Sequence, residues 1–228
     1  EPAFAPIATP YASTVAARNA EAAGADAMRD LNYWRAALAA PLPLHDLPFD
    51  GTRTATRARG GARHRFDLGA ARSAAVRDAA RRSGTTLHAW LLAAFQATLH
   101  RWSGADDLIV AMPSAGRDAL HHGAPLGYHV RPVLARSVLP SGAGYAHHLA
   151  RTREGLVDAL AHRRCTYASI VDAVAPRDAA RPELAHAWFV LQRASNAALG
   201  CLLLGVTPVV RPTSGGVAWS ALPLDGRD

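Results

Sequence analysis

Residues 86–102 constrain this chain more than any other stretch of it. Leu87, Trp90, Leu91, Ala94, Phe95, Thr98, Leu99 and Trp102 recur at i, i+3, i+4, i+7, i+8, i+11, i+12 and i+15, the spacing of one helical face. Thr85 stands before it as an N-cap. Ser83-Gly84 closes a preceding helix over residues 70–82 with a C-terminal glycine. Gly104 ends the striped helix, and the apolar run 108–112 follows as a buried strand. Helix, tight turn and buried strand in immediate succession must share one core, which implies packed layers of helix and sheet.

The other segments fit that class. Residues 11–23 and 25–39 read as helices broken at Gly24, the second with Met28, Leu31, Trp34, Ala37 and Leu38 on one face. Three prolines make 41–50 an extended loop. Residues 64–68 alternate as a short strand, and 128–139 form a longer one whose Pro132 requires an edge or a bulge. Helices are expected over 145–162 and 167–174, and strands over 184–191, 206–211 and 217–222. Asp225-Gly226 reads as a hairpin turn. Strands and helices alternate, so the fold class is α/β (α+β layered), a mixed sheet flanked by helices.

Composition removes several function classes. Hydrophobic residues make up 50% of the 228, too many for a disordered chain. The longest apolar stretch, 197–210, is broken by Gly200, Gly205 and Pro208, so no membrane span is expected, and no basic leader with an apolar core opens the chain. A first residue of Glu1 leads us to expect a piece of something longer. Cys165 and Cys201 lack metal-type spacing and read as reduced structural thiols. The net charge of +7 comes entirely from arginine over the acids, with no lysine at all. Its densest stretch, 52–65, carries no aromatic for base stacking, so no nucleic-acid partner is expected. An acidic carrier protein suits a basic rim better. Neither a dinucleotide fingerprint nor a P-loop occurs, and no His/Asp/Glu cluster has metal spacing.

Residues 103–117, S-G-A-D-D-L-I-V-A-M-P-S-A-G-R, resemble the R-x-S-G, D-D-L/I-x-V-G-x-P-x-A-x-R run of nonribosomal peptide synthetase condensation domains. Other motifs follow in the family's order. Residues 84–95 match G-x-T-L-x-x-x-L-L-A-A-F, and Tyr33-Trp34 precede the family's L-P-x-L-x-L-P-x-D loop at 42–50. Residues 11–15 are a weak Y-x-D-Y-A, and 126–136 resemble I-G-F-F-V-N-T-x-x-x-R. Residues 177–182 and 189–192 resemble R-D-x-S-R-x-P and the strand ending in Gln. Arg131 replaces the family's Asn, and Pro132 its Thr; the latter is similar to the subtype found beside polyketide modules. The element H-Q-D-x-P-F-E is reduced to H-R-R-C-T-Y-A at 162–168.

The resemblance implies a chloramphenicol-acetyltransferase-like lobe. Residues 1–24 would be the lead-in and inter-lobe helix, and 25–228 the C-terminal lobe without its last strand and helix. It implies acyltransferase chemistry: an acceptor amine or hydroxyl attacks a donor thioester, both substrates riding on phosphopantetheine arms of acyl or peptidyl carrier proteins. The family's H-H-x-x-x-D-G motif is absent; His121-His122 and His147-His148 have Leu126 and Thr152 where it needs Asp. No catalytic residue is therefore assigned, and this chain alone is expected to be inactive, needing an N-terminal lobe on its parent chain. It needs no metal or organic cofactor of its own and belongs in the cytoplasm. Rival readings are a non-catalytic carrier-docking module and a stand-alone acyltransferase of the same superfamily.

Five residues are placed at the lobe interface or tunnel. Arg117 is either a partner for the motif's Asp or a solvated loop residue. Gln192 either faces the tunnel or bonds backbone. His129 and Arg131 alternate with Val130; if Val130 faces the core, they face tunnel or solvent. Trp188, with Phe189, is assigned to core or tunnel wall. Arg136 is read as structural, and Trp34, Trp90, Phe95 and Trp102 as core.

Overall fold

The computed structural model describes residues 10–43, 62, 64, 66–116, 127–140, 142–174, 184–185 and 187–192, and the backbone of 208–209 and 218–219. The chain divides into two compact units, Glu1–Phe189 and Val190–Asp228. In the first unit the helices are α1 (Tyr11–Ala22), α2 (Ala25–Ala37), α3 (Gly69–Arg82), α4 (Leu87–Ser103), α5 (Tyr145–Ala161) and α6 (Tyr167–Val174). Its strands are β1 (Asp107–Ser114), β2 (Arg131–Val138) and β3 (Ala187–Trp188). In the second unit β4 (Pro208–Val209) pairs antiparallel with β5 (Ala218–Trp219).

The sheet of the first unit runs β2-β1-β3, with β1 antiparallel to β2 and parallel to β3. It is the mixed sheet expected, and β2 lies at its edge, which accommodates Pro132 opposite Pro113 without a bulge in the pairing. Leu108, Ile109, Val110 and Ala111 of β1 are buried with Val133 and Leu134 of β2, Leu92 and Leu99 of α4, Trp34 of α2 and Leu38 at the C-cap of α2. A central strand covered on both faces needs such a continuous apolar run.

Local signals explain the helix ends. Gly84 (φ +61°) and Gly104 (φ +72°) adopt the left-handed conformation after α3 and α4, as the glycine signals predict. The cap of α4 is Thr86, whose hydroxyl accepts from the Ala89 N–H at 3.1 Å; Thr85 is one residue too early for that reach.

Four expectations need correction. The deepest face of α4 is Ala89, Leu92, Ala93, Gln96 and Leu99, whereas Trp90 and Phe95 are half-buried and Trp102 is 61% exposed. The helix is apolar around most of its circumference, so periodicity did not select a face; the small residues allow close approach, and Gln96 is accepted because the Thr152 hydroxyl of α5 bonds its Oε1 at 3.0 Å. On α2 the buried face is Ala27, Asp30 and Trp34, continued by Leu38 at its C-cap, and Met28 is exposed. His64 and residues 66–68 form no strand: they have no ladder partner, and Phe66 is exposed. The strand expected over 184–191 pairs only at Ala187 and Trp188, against Val110 and Ala111.

Candidate functional site

The two ends of the segment that contains Arg117 are pinned by one helix. At Gly116 the backbone is left-handed (φ +60°), and a Cβ there would stand 1.9 Å from the carbonyl oxygen of His129. Only glycine fits, which explains the G of the A-G-R run. The Gly116 carbonyl accepts from Nη2 of Arg18 on α1 at 2.5 Å. At the other end, a Cβ on Gly127 would stand 2.3 Å from the ring of Tyr11, the first residue of α1. The Tyr11 hydroxyl donates to the Tyr128 carbonyl at 2.7 Å, and its ring meets that of His129 edge-on at 5.5 Å.

Arg131 joins the same structure. Its Nη1 donates to the Arg163 carbonyl at 3.0 Å and its Nη2 lies 3.4 Å from the Glu21 carboxylate of α1. Arg131, one departure from the family pattern, thus bonds the backbone of the other, the altered element 162–168. Tyr11, Thr14, Arg18 and Glu21 follow helical spacing, so the face of α1 turned to the sheet end is largely polar.

The altered element is itself built around Asp30, 2% exposed, a carboxylate that interrupts the apolar face of α2 and that no sequence pattern singled out. The Asp30 carboxylate accepts from His162 Nδ1 at 3.1 Å and from the Arg164 backbone N–H at 2.8 Å, with Arg164 Nη1 at 3.7 Å. Tyr33 stacks on His162 at 4.1 Å, and Trp34 Nε1 donates to the His162 carbonyl at 2.6 Å. Burial raises the Tyr33 phenol, with Asp158 adding to it. Cys165 beside them is a buried free thiol pushed up to about 11, first by burial and then by Asp30. It is structural, as the composition suggests; Cys201 lies outside the described residues.

Arg136 binds the family motifs together. It meets Asp107 of β1 with Nε at 3.0 Å and Nη2 at 2.6 Å, and its remaining N–H groups reach the carbonyls of Ala37, Ala39 and Pro41 where α2 ends. All five donors are used, so the residue is structural and caps a helix C-terminus. A cavity of about 530 Å³ between α2, β2 and α5 is lined by Arg136, but this guanidinium has no donor left for a ligand.

The remaining assignments divide. His129 is 3% exposed while Val130 is exposed, which reverses the premise that Val130 faces the core: His129 fills the position of the second Phe in the family's I-G-F-F-V and packs as an aromatic would. Trp188 is 52% exposed at the β3 edge, so size did not place it in the core; Phe189 instead packs against Phe95 at 5.8 Å and His88 at 5.2 Å. His88 also lies 3.4 Å from the Met112 sulfur, and burial lowers its pKa. Gln192 belongs to the second unit and is exposed. Arg117 lies outside the described residues. Among the described residues no three metal-type ligands converge, and no helix is long and apolar enough to cross a membrane.

Comparison with known proteins agrees with the motifs. Residues 1–198 match the family model of the condensation domain. The chain is 33% identical over 222 residues, 97% of its length, to phosphinothricin tripeptide synthetase PhsB of Streptomyces viridochromogenes, and covers 18% of that protein. It is 34% identical over 165 residues, 72% of its length, to a linear gramicidin synthase of Brevibacillus parabrevis, covering 2% of it. Its fold matches a four-domain nonribosomal peptide synthetase (TM-score 0.73, 23% identity, 87% of this chain and 15% of that one). It also matches the X-domain from teicoplanin biosynthesis in complex with OxyB (TM-score 0.70, 23% identity, 79% of this chain and 41% of that one).

Proposed function

This chain belongs to the condensation-domain family, and we propose that it is the C-terminal, acceptor-side lobe of a domain that joins two carrier-bound substrates in nonribosomal peptide assembly. The family match over residues 1–198 carries this reading, because it includes the A-G-R run. The acceptor nitrogen attacks the donor thioester carbonyl, a tetrahedral oxyanion forms, and its collapse makes the amide and expels the phosphopantetheine thiolate. The proton leaves the amine for the second His of the H-H-x-x-x-D-G motif on the other lobe. In this reading Arg117 pairs with the Asp of that motif, and Gly116 fixes the backbone from which Arg117 springs. Carrier-protein domains are the partners, the substrates ride on their phosphopantetheine arms, no further cofactor is needed, and the site of action is the cytoplasm.

The test is reconstitution. The parent polypeptide with donor- and acceptor-loaded carriers should yield condensed product by mass spectrometry, and the isolated 228-residue chain none. Arg117→Ala in the parent should lower turnover well beyond Arg101→Ala, whose side chain is exposed. Product from the isolated chain, or equal effects of the two substitutions, would overturn the reading.

A second reading has its own support. The teicoplanin X-domain shares this fold and forms a complex with a protein partner, OxyB. If the parent lacks the second His of the motif, the chain is a docking module, and it should bind a partner protein in titration calorimetry without turnover.

A further inference from the structure

We propose that Tyr11 and Arg18 of α1 are positioning residues for condensation, setting the backbone at Gly116 and at Gly127 through contacts that a separate helix supplies. This rests on the function proposed above.

Three constraints act at Gly116. Its left-handed φ and the close His129 carbonyl both come from the β1–β2 pair and its flanks. The third, the Arg18 bond to its carbonyl, comes from α1. That bond is charge-assisted and partly buried, so it is stronger than an ordinary surface contact. Tyr11 acts on the other side, closing over Gly127 and holding the Tyr128 carbonyl. Helical spacing puts both side chains, seven positions apart, on one face of α1.

The way α1 is held makes this a control point rather than mere packing. Thr14 is its one fully buried residue, so little apolar area fastens the helix. Among the described residues a row of polar contacts joins it to the sheet end, Tyr11 to Tyr128, Arg18 to Gly116 and Glu21 to Arg131. Polar contacts of this kind depend on geometry, so a shift of α1 along its axis releases both glycine ends together. Any element that bears on α1 is thereby coupled to the backbone preceding Arg117. The residues act through the backbone and do not touch the reacting atoms.

The test uses the parent domain with loaded carriers. Arg18→Ala should lower kcat at least tenfold while KM for both carriers changes less than twofold. Arg18→Lys should recover most of the loss, because a lysine can still donate to the Gly116 carbonyl. Arg29→Ala, at an exposed position of α2, is the control and should leave turnover unchanged. Tyr11 is read independently of activity. In the wild type, diethylpyrocarbonate should spare His129, as mass spectrometry of the peptide reports; Tyr11→Ala should speed its modification at least tenfold, and Tyr11→Phe should not. A wild-type parent that makes product, with Arg18→Ala at full kcat or with Arg18→Lys as slow as Arg18→Ala, overturns the positioning role of Arg18. Unchanged modification of His129 in Tyr11→Ala overturns the role of Tyr11. A wild-type parent that makes no product instead overturns the proposed function, leaving the His129 readout valid for the α1 contact.

Discussion

Replacing Gly116 by alanine isolates the steric constraint at the site. Gly104 is its control, since both residues have a left-handed φ, +60° and +72°. The shared cost of placing an L-residue there is about 1–2 kcal/mol. The environments differ: a Cβ at Gly104 meets nothing within 4 Å, whereas one at Gly116 falls 1.9 Å from the His129 oxygen. A contact that short with backbone cannot persist, so the strand end must separate by more than an ångström. Moving Gly116 also breaks the bond from Arg18, a charged donor, worth about 1.5–3 kcal/mol. With the backbone distortion of about 1–3 kcal/mol, Gly116→Ala should exceed Gly104→Ala by roughly 2.5–6 kcal/mol. Urea denaturation of the two variants, followed by far-UV circular dichroism, measures the difference. Losses equal within about 0.5 kcal/mol would show that the His129 carbonyl does not crowd Gly116.

Three further outcomes follow from other parts of the molecule. Asp30→Ala should destabilise by about 2–4 kcal/mol, because the Arg164 N–H loses its acceptor while the half-exposed Arg164 and His162 side chains regain water; urea unfolding with a loss below about 0.5 kcal/mol would refute it. His148, whose Nε2 donates to the Ala93 carbonyl at 3.1 Å, has a pKa lowered from 6.5, chiefly by burial. The unfolded chain therefore binds the proton first, so stability present above pH 6.5 should fall as pH drops below it. His148→Gln should flatten that slope; His88, also lowered by burial, would sustain only the part that remains. Cys165, buried and pushed up to about 11, should resist iodoacetamide at pH 8 in the native state and react on unfolding, as peptide mass spectrometry reports; rapid native labelling would contradict its burial.

The amino-acid order by itself determined the positions of α1 to α6, the β1 and β2 strands, the glycine stops at Gly84 and Gly104, and the family. These are local matters: periodicity, capping chemistry and turn residues act over a few neighbours. The structure alone decided which face of each helix is buried. Apolar residues surround α4, so only its fit to α5 and β1 chose Ala93 and Gln96 over Trp102. A carboxylate breaks the apolar face of α2, and only the distant His162 and Arg164 make its burial possible. His129 is polar in the sequence and aromatic in the structure, because Tyr11, more than a hundred residues away, supplies the ring it packs against. The glycines were legible as motif letters, but their necessity comes from the His129 carbonyl and the Tyr11 ring. Such contacts join residues far apart in the chain, and no local pattern encodes which distant group will arrive.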